Sequence, residues 1–254
     1  MVPVASLYHP GSPPGSPQGA SLFNVRLRRK ELSMQSNQSG ISVGSNLFSK
    51  VSMLLTGSMM VGALGAYLGQ GIQSLGAMIL LIVLFLGGGI AIKFIKDKAP
   101  TISIPLLLGW VFISGLFIGP AIHAYVAYLG WQTVFFAYLG TAGVMAVCGC
   151  IGVFSGFDFT NLGRYLMFAL FGLIIFGIVS LFVHMSAGVT IVYSLIGMAV
   201  FAGFFIFDFF RLSKGANTWG NAIDITQDIY LDFINFLLYL LQLLAAAKDS
   251  KSRD

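Results

Sequence analysis

The sequence predicts an all-α integral membrane protein, a bundle of seven transmembrane helices. Three observations carry this: the scarcity of charge, the recurrence of apolar runs of membrane-crossing length, and the alternation of basic residues between the breaks that separate them. Hydrophobic residues make up 57% of the 254-residue chain and charged residues 9%, against about 25% charged residues in soluble domains. So little charge cannot cover a surface in water, and the mean hydropathy of +0.87 agrees. Seven apolar runs cover residues 48–68, 75–95, 104–126, 130–152, 164–184, 189–210 and 228–246. Each is near the ~20 residues a helix needs to cross the hydrocarbon core. An open chain can cross it only as a helix, because backbone N–H and C=O groups find no water there.

The segments follow in order. Residues 1–45 are rich in Pro, Gly, Ser and Gln and hold a basic cluster of Arg26, Arg28, Arg29 and Lys30 with one acid, Glu31. They contain no apolar run, so they are read as a disordered tail, with an organelle transit peptide or an extension ahead of Met34 as alternatives. The membrane domain spans 46–247, and 248–254 form a short charged tail. Gly62, Gly65 and Gly69 in the first run mark a close helix contact. Gly87, Gly88 and Gly89 weaken the second helix near its end, and Pro120 kinks the third. Cys148 and Cys150, two residues apart, point about 200° from each other on a helix and read as packing residues. His123 and His184 lie near the ends of the third and fifth runs and read as interfacial anchors. The aromatic residues, 14% of the chain, read mostly as lipid-facing or belt residues. The longest break between runs is 212–227.

Lys and Arg occur before the first run, after the second, between the fourth and fifth and after the sixth, and are absent from the loops after the first, third and fifth. That alternation places the N-terminus in the cytoplasm. Seven spans then put the C-terminus outside; its Lys248, Lys251 and Arg253 argue mildly the other way, and a re-entrant last helix stays open. The net charge of +5 sits between apolar runs rather than on a folded patch, so nucleic acid is not a partner. No HExxH, GxSxG, Walker or GxGxxG pattern occurs, so the chain is not read as an enzyme and no cofactor is expected.

The acids carry the functional signal. Four of the nine, Asp208, Asp224, Asp228 and Asp232, surround the one loop between the sixth and seventh runs. Asp208 sits in the run Phe204-Phe205-Ile206-Phe207-Asp208-Phe209-Phe210 and Asp232 in Tyr230-Leu231-Asp232-Phe233-Ile234. A carboxylate in such surroundings costs several kcal/mol on insertion scales and is a functional candidate for that reason. Asp224, Asp228 and Asp232 are spaced i, i+4, i+8 and share a helix face, with Asn235 extending it. Antiparallel helices on either side of one loop bring Asp208 and Asp232 to similar depth. Two carboxylates in a low-dielectric site do not both ionise cheaply and tend to hold a proton in common. Protonated once, the pair bridges two helices; ionised, it attracts a hard cation such as calcium. The plainer alternative is a structural salt bridge from Arg211, three residues after Asp208. Both readings stand on the bare residues.

Three separated stretches then resemble one family. Asp228-Ile229-Tyr230-Leu231-Asp232-Phe233-Ile234-Asn235 resembles the final-helix signature of the Bax-inhibitor family. Phe207-Asp208-Phe209-Phe210-Arg211 resembles the end of its sixth helix, and Asp158-Phe159-Thr160-Asn161-Leu162-Gly163-Arg164 its fourth-to-fifth connection. The resemblance covers about residues 45–245 and is nearest to bacterial members. It implies seven helices with the last one central, and a pH-sensitive calcium leak gated by Asp208 and Asp232, with Asp228 as a second acid nearby. It also implies, for some bacterial members, regulation of a membrane-bound AAA protease. The sequence departs from the family in having Phe207 where a tyrosine is usual. It also lacks an arginine in the second span, leaving Lys93 or Lys96 as counter-charge.

The expected function is therefore a pH-sensitive calcium leak in a cell membrane, the bacterial inner membrane, with calcium as the transported ion on Asp208 and Asp232. The alternative is a membrane interaction protein regulating a membrane-bound protease or a cell-death or stress pathway. A secondary transporter is a third class, but the internal repeats such folds show are not apparent.

Overall fold

The computed structural model describes residues 47–180, 182–183 and 185–251, the side chain of Pro100 excepted. The expectations for the tail 1–45 and for His184 fall outside these residues. Seven helices follow one another: α1 (Leu47–Gly69), α2 (Leu75–Ile95), α3 (Pro100–Leu129), α4 (Trp131–Phe154), α5 (Leu162–Ser180), α6 (Ala187–Lys214) and α7 (Trp219–Lys251). All seven are long and apolar enough to cross a membrane. Their ends obey the local chemistry. The α6 N-cap Ser186 accepts from the Val189 amide, and Gly130 takes a φ of 89° to turn α3 into α4, a conformation that suits glycine. Between α4 and α5, Asp158 accepts from both the amide and the hydroxyl of Thr160, which holds its carboxyl below the usual carboxylate range.

Helix α7 is the centre of the bundle. It packs most extensively on α6 and also on α3 and α4. On one side Ile223, Ile229 and Tyr230 join Leu47, Val51 and Leu54 of α1 and Leu107, Trp110 and Val111 of α3. On the other, Phe233 and Phe236 join Phe201, Phe204 and Phe205 of α6. So a subset of the aromatics builds the core, while Phe94, Phe136, Phe168 and many others are exposed on the outer faces, as lipid-facing residues would be. Helices α2 and α5 are peripheral. Buried positions on α2 are Leu81 and Ile92, and on α5 Leu166 and Leu173.

Glycine sets the tightest contact. Gly62, Gly65 and Gly69 of α1 lie against Gly115 and Gly119 of α3, and a Cβ at Gly115 would run into the Gly62 carbonyl. In lipid, where no hydrophobic force drives helices together, such close approach gains van der Waals contact. Helix α3 runs on through Pro105 and Pro120 as one element. Pro120 has no N–H for the Leu116 carbonyl, and that carbonyl lies against Gly69 of α1. Cys148 is buried, whereas Cys150 is exposed, so only Cys148 packs inside; both thiols are free.

One boundary differs from the sequence reading. The break expected at 212–227 is only 215–218, because α6 runs to Lys214 and α7 starts at Trp219. Asn221, Asp224, Thr226, Gln227 and Asp228 depress hydropathy, but they lie in helical turns whose charged members are paired with α2 and α6. Nor is α7 re-entrant. It is continuous over 33 residues, about 50 Å at 1.5 Å per residue. Its far end meets the end of α3, where Lys248 donates to the Tyr128 carbonyl at 2.7 Å and Tyr128 donates to Asp249.

Candidate functional site

The four acids singled out by sequence come together on the α6–α7 pair. Arg211 is the hub. Its Nη1 donates to Asp208 Oδ1 at 3.0 Å and to Asp228 Oδ2 at 2.7 Å, and its Nη2 donates to Asp224 Oδ2 at 2.9 Å. From α2, Lys93 Nζ reaches Oδ1 of both Asp224 and Asp228 at 2.8 Å. Lys96 stands 3.8 Å from Asp224 and 3.6 Å from Asp97. Of the two lysines proposed as counter-charge, Lys93 is thus the main partner. Spacing i, i+4 on α7 puts Asp224 and Asp228 on one face, and α2 ends beside that face.

Asp208 and Asp232 are the buried members, 2% and 6% exposed. Their carboxyls lie within hydrogen-bonding reach of each other. Arg211 bonds Asp208 but makes no bond to Asp232, and Asp232 Oδ2 is buried without a partner. The salt bridge and the acid pair therefore coexist. A carboxylate only accepts, so two ionised groups at this contact repel, and one proton turns the contact into a hydrogen bond. Asn235 lies on the same face but donates to the Leu231 carbonyl of its own helix at 2.8 Å.

Other contacts had no signal in the spacing. Tyr230, on the opposite side of α7, shares a 2.7 Å hydrogen bond with Ser114 of α3. Gln227 donates to the Gly89 carbonyl in the glycine run of α2. The Asp97 carboxylate abuts Gly220 in the first turn of α7, where a Cβ would not fit and where helix-terminal amides favour an anion. An isolated hydroxyl in an apolar span, as at Ser114, is the only hint sequence offers for any of these.

Two cavities approach the site. One of about 710 Å³ lies between the α2–α3 and α5–α6 pairs, with Asp208, Arg211, Asp228 and Asp232 at its charged end. The other, about 340 Å³, is lined from α1, α3, α4 and α7, by residues including Tyr67 and His123, and by Gln70 of the turn after α1. His123 thus faces a cavity. Both cavities touch Ile118, Tyr230 and Ile234, which form the partition between them. Among the described residues no group of three or more His, Cys, Asp or Glu is placed to hold a metal ion. Calcium takes six to eight oxygens, more than the carboxyls of Asp208 and Asp232 supply.

Fold and site define a multi-pass helical membrane protein with a cluster of charged residues around its last helix, two of whose acids are buried. The family model described as "Inhibitor of apoptosis-promoting Bax1" matches residues 44–249, and the chain belongs to this Bax-inhibitor family. Among similar proteins, an uncharacterized membrane protein of Streptococcus pyogenes serotype M3 is 28% identical over 80% of this chain and 87% of its own. An uncharacterized protein of Deinococcus radiodurans is 30% identical over 59% and 66%. The uncharacterized protein YrjE of Lactococcus lactis is 27% identical over 62% and 68%.

Proposed function

We propose that this chain is a passive, pH-gated cation pathway, with calcium as the transported ion and the Asp208–Asp232 pair as its gate. The observation that carries the reading is the pair itself: two buried carboxyls on different helices, in contact, at the end of a cavity, in an otherwise apolar bundle. With one proton between them, the acids tie α6 to α7. As pH rises that proton leaves, the two charges repel, and a hard cation becomes the favoured third party. Arg211 favours the ionised form of Asp208 and so assists the loss of that proton, which lets it set the pH at which the tie breaks. Passage would then cross the partition at Ile118, Tyr230 and Ile234 into the second cavity. On this reading the membrane is the bacterial inner membrane, and the lysine and arginine bias supports a cytoplasmic side for the acid cluster.

The test is calcium flux into liposomes holding the purified chain alone, measured from acid to neutral pH. Flux should rise with pH. Asp208→Asn and Asp232→Asn should each flatten that dependence, and the double variant should add little, because the two groups act as one unit. Strictly additive effects or an unchanged pH profile in either single variant would count against a shared proton. No flux at any pH would remove the leak reading and leave the family's protease or cell-death partners as the alternative.

A further inference from the structure

The larger cavity has a second property that ion passage does not use: it is amphipathic along its length. Seven residues before Asp208, Phe201 lines it, and six after Asp232, Leu238 does. At 1.5 Å per residue the apolar part therefore runs about 10 Å beyond the acid pair. Its far wall is Met167, Leu170 and Ile174 of α5, spaced i, i+3, i+7 along one face. Met167 and Ile174, together with Leu86 across from them, are also exposed to the surroundings. In a bilayer those surroundings are lipid, so the cavity has a mouth through which a chain-bearing molecule can enter sideways. Its volume, about 710 Å³, is in the range of small-molecule sites.

The charged end specifies the head group. Asp208, Asp224, Asp228 and Asp232 face Arg211, Lys93 and, at longer range, Lys96, which is shared with Asp97. Carboxylates outnumber the cations, and one buried oxygen among them, Asp232 Oδ2, has no partner on a residue that lines the cavity. What is missing is one positive charge with N–H donors. An anionic or zwitterionic head would bring a phosphate or carboxylate against acceptors that already lack donors. A metal ion would satisfy the charge but leave the apolar wall without a use. A primary ammonium has three donors and no acceptor, and charge-assisted bonds to carboxylates are the strong kind.

We propose that the cavity between the α2–α3 and α5–α6 pairs is a binding site for a lipophilic primary ammonium ion, its head on Asp208 and Asp232 and its chain along α5 and α6. The site uses the same acid pair as the leak but does not depend on flux. Ligand and transported cation would compete for the same carboxylates.

The experiment uses the full chain in nanodiscs of zwitterionic lipid at neutral pH, with an alkylamine carrying a diazirine near the chain end. Photolabel should map to α5 around Leu170 and Ile174 and to α6 around Phe204. Octylamine should compete and octanol should not. Asp232→Asn should reduce labelling about tenfold or more, the factor expected for losing one hydrogen bond to a charged group. Leu170→Trp, which fills the apolar part and leaves the acids intact, should reduce it as well and guards against a misfolded aspartate variant. Equal labelling by an uncharged diazirine alcohol, label spread over the lipid-facing surface, or labelling unchanged in both variants would overturn the proposal. Specific labelling from a chain that passes no calcium would keep the site and discard the leak.

Discussion

Arg211 is common to the two readings of the site, which separate at Asp232. The arginine holds three carboxylates at 2.7–3.0 Å, while its side chain is 32% exposed. Removing one partner from a buried ion pair costs about 3–5 kcal/mol because the remaining charge is stranded. Partial exposure and the surviving Lys93 contacts lower this, so Arg211→Gln should destabilise the chain by roughly 2–3 kcal/mol, read from thermal or denaturant unfolding in a fixed detergent. Asp232→Asn keeps the shape and offers Asp208 an N–H, so its stability should change by under about 1 kcal/mol even as its flux loses pH dependence. A pure salt bridge would give the same Arg211 result but leave the Asp232 variant silent in flux as well. The acids were legible because a carboxylate in an aromatic run has no cheap explanation. The reach of Lys93, the seat of Asp97 at Gly220 and the Tyr230–Ser114 bond were not, because each joins α7 to α2 or α3, and spacing within one helix says nothing about its neighbours.

At the level of elements, the runs of high hydropathy located all seven helices, and the error fell where polar residues are paired rather than solvated. Hydropathy assigns Asp224 to a loop; Arg211 and Lys93 allow it to be helical. The glycines of α1 were legible as a contact face through their i, i+3, i+7 spacing, but their partner was not, since Gly115 and Gly119 look like any other glycines in a run with many. That pairing gives a graded prediction. At Gly115 a Cβ would press on the backbone of α1, so Gly115→Ala should force α1 from α3 and cost about 1–3 kcal/mol, the range for overpacking. Gly140 of α4 has open space where its Cβ would go, and Gly140→Ala should be neutral or stabilise by about 0.5–1 kcal/mol through helix propensity. Unfolding of the two variants in the same detergent should move in opposite directions. A Gly115 variant as stable as the parent would mean that the α1–α3 contact is looser than described.

At the scale of the whole molecule, the distribution of charge decides which way the bundle faces. Lys50, Lys93, Lys96, Arg164, Arg211 and Lys214 all lie toward one end, because α1 starts, α2 ends, α5 starts and α6 ends there. The 215–218 turn belongs to that end, tied by Lys50, whose Nζ reaches the Asn217 carbonyl at 3.5 Å and lies 4.9 Å over the Trp219 ring. At the opposite end the described basic residues are Lys248 and Lys251, which follow the last span. Translocating that many cations costs more than translocating two, so the crowded end should stay in the cytoplasm. The two native thiols would obscure a labelling test, so the background is Cys148→Ala with Cys150→Ala. In it, Asn217→Cys should react with a membrane-impermeant maleimide only after the cells are opened, whereas Gln70→Cys, in the turn between α1 and α2, should react in intact cells. The reverse pattern would put the acid pair on the outer face. The proposed gate would then answer to external rather than cytoplasmic pH, and a rise in cytoplasmic pH would no longer open it.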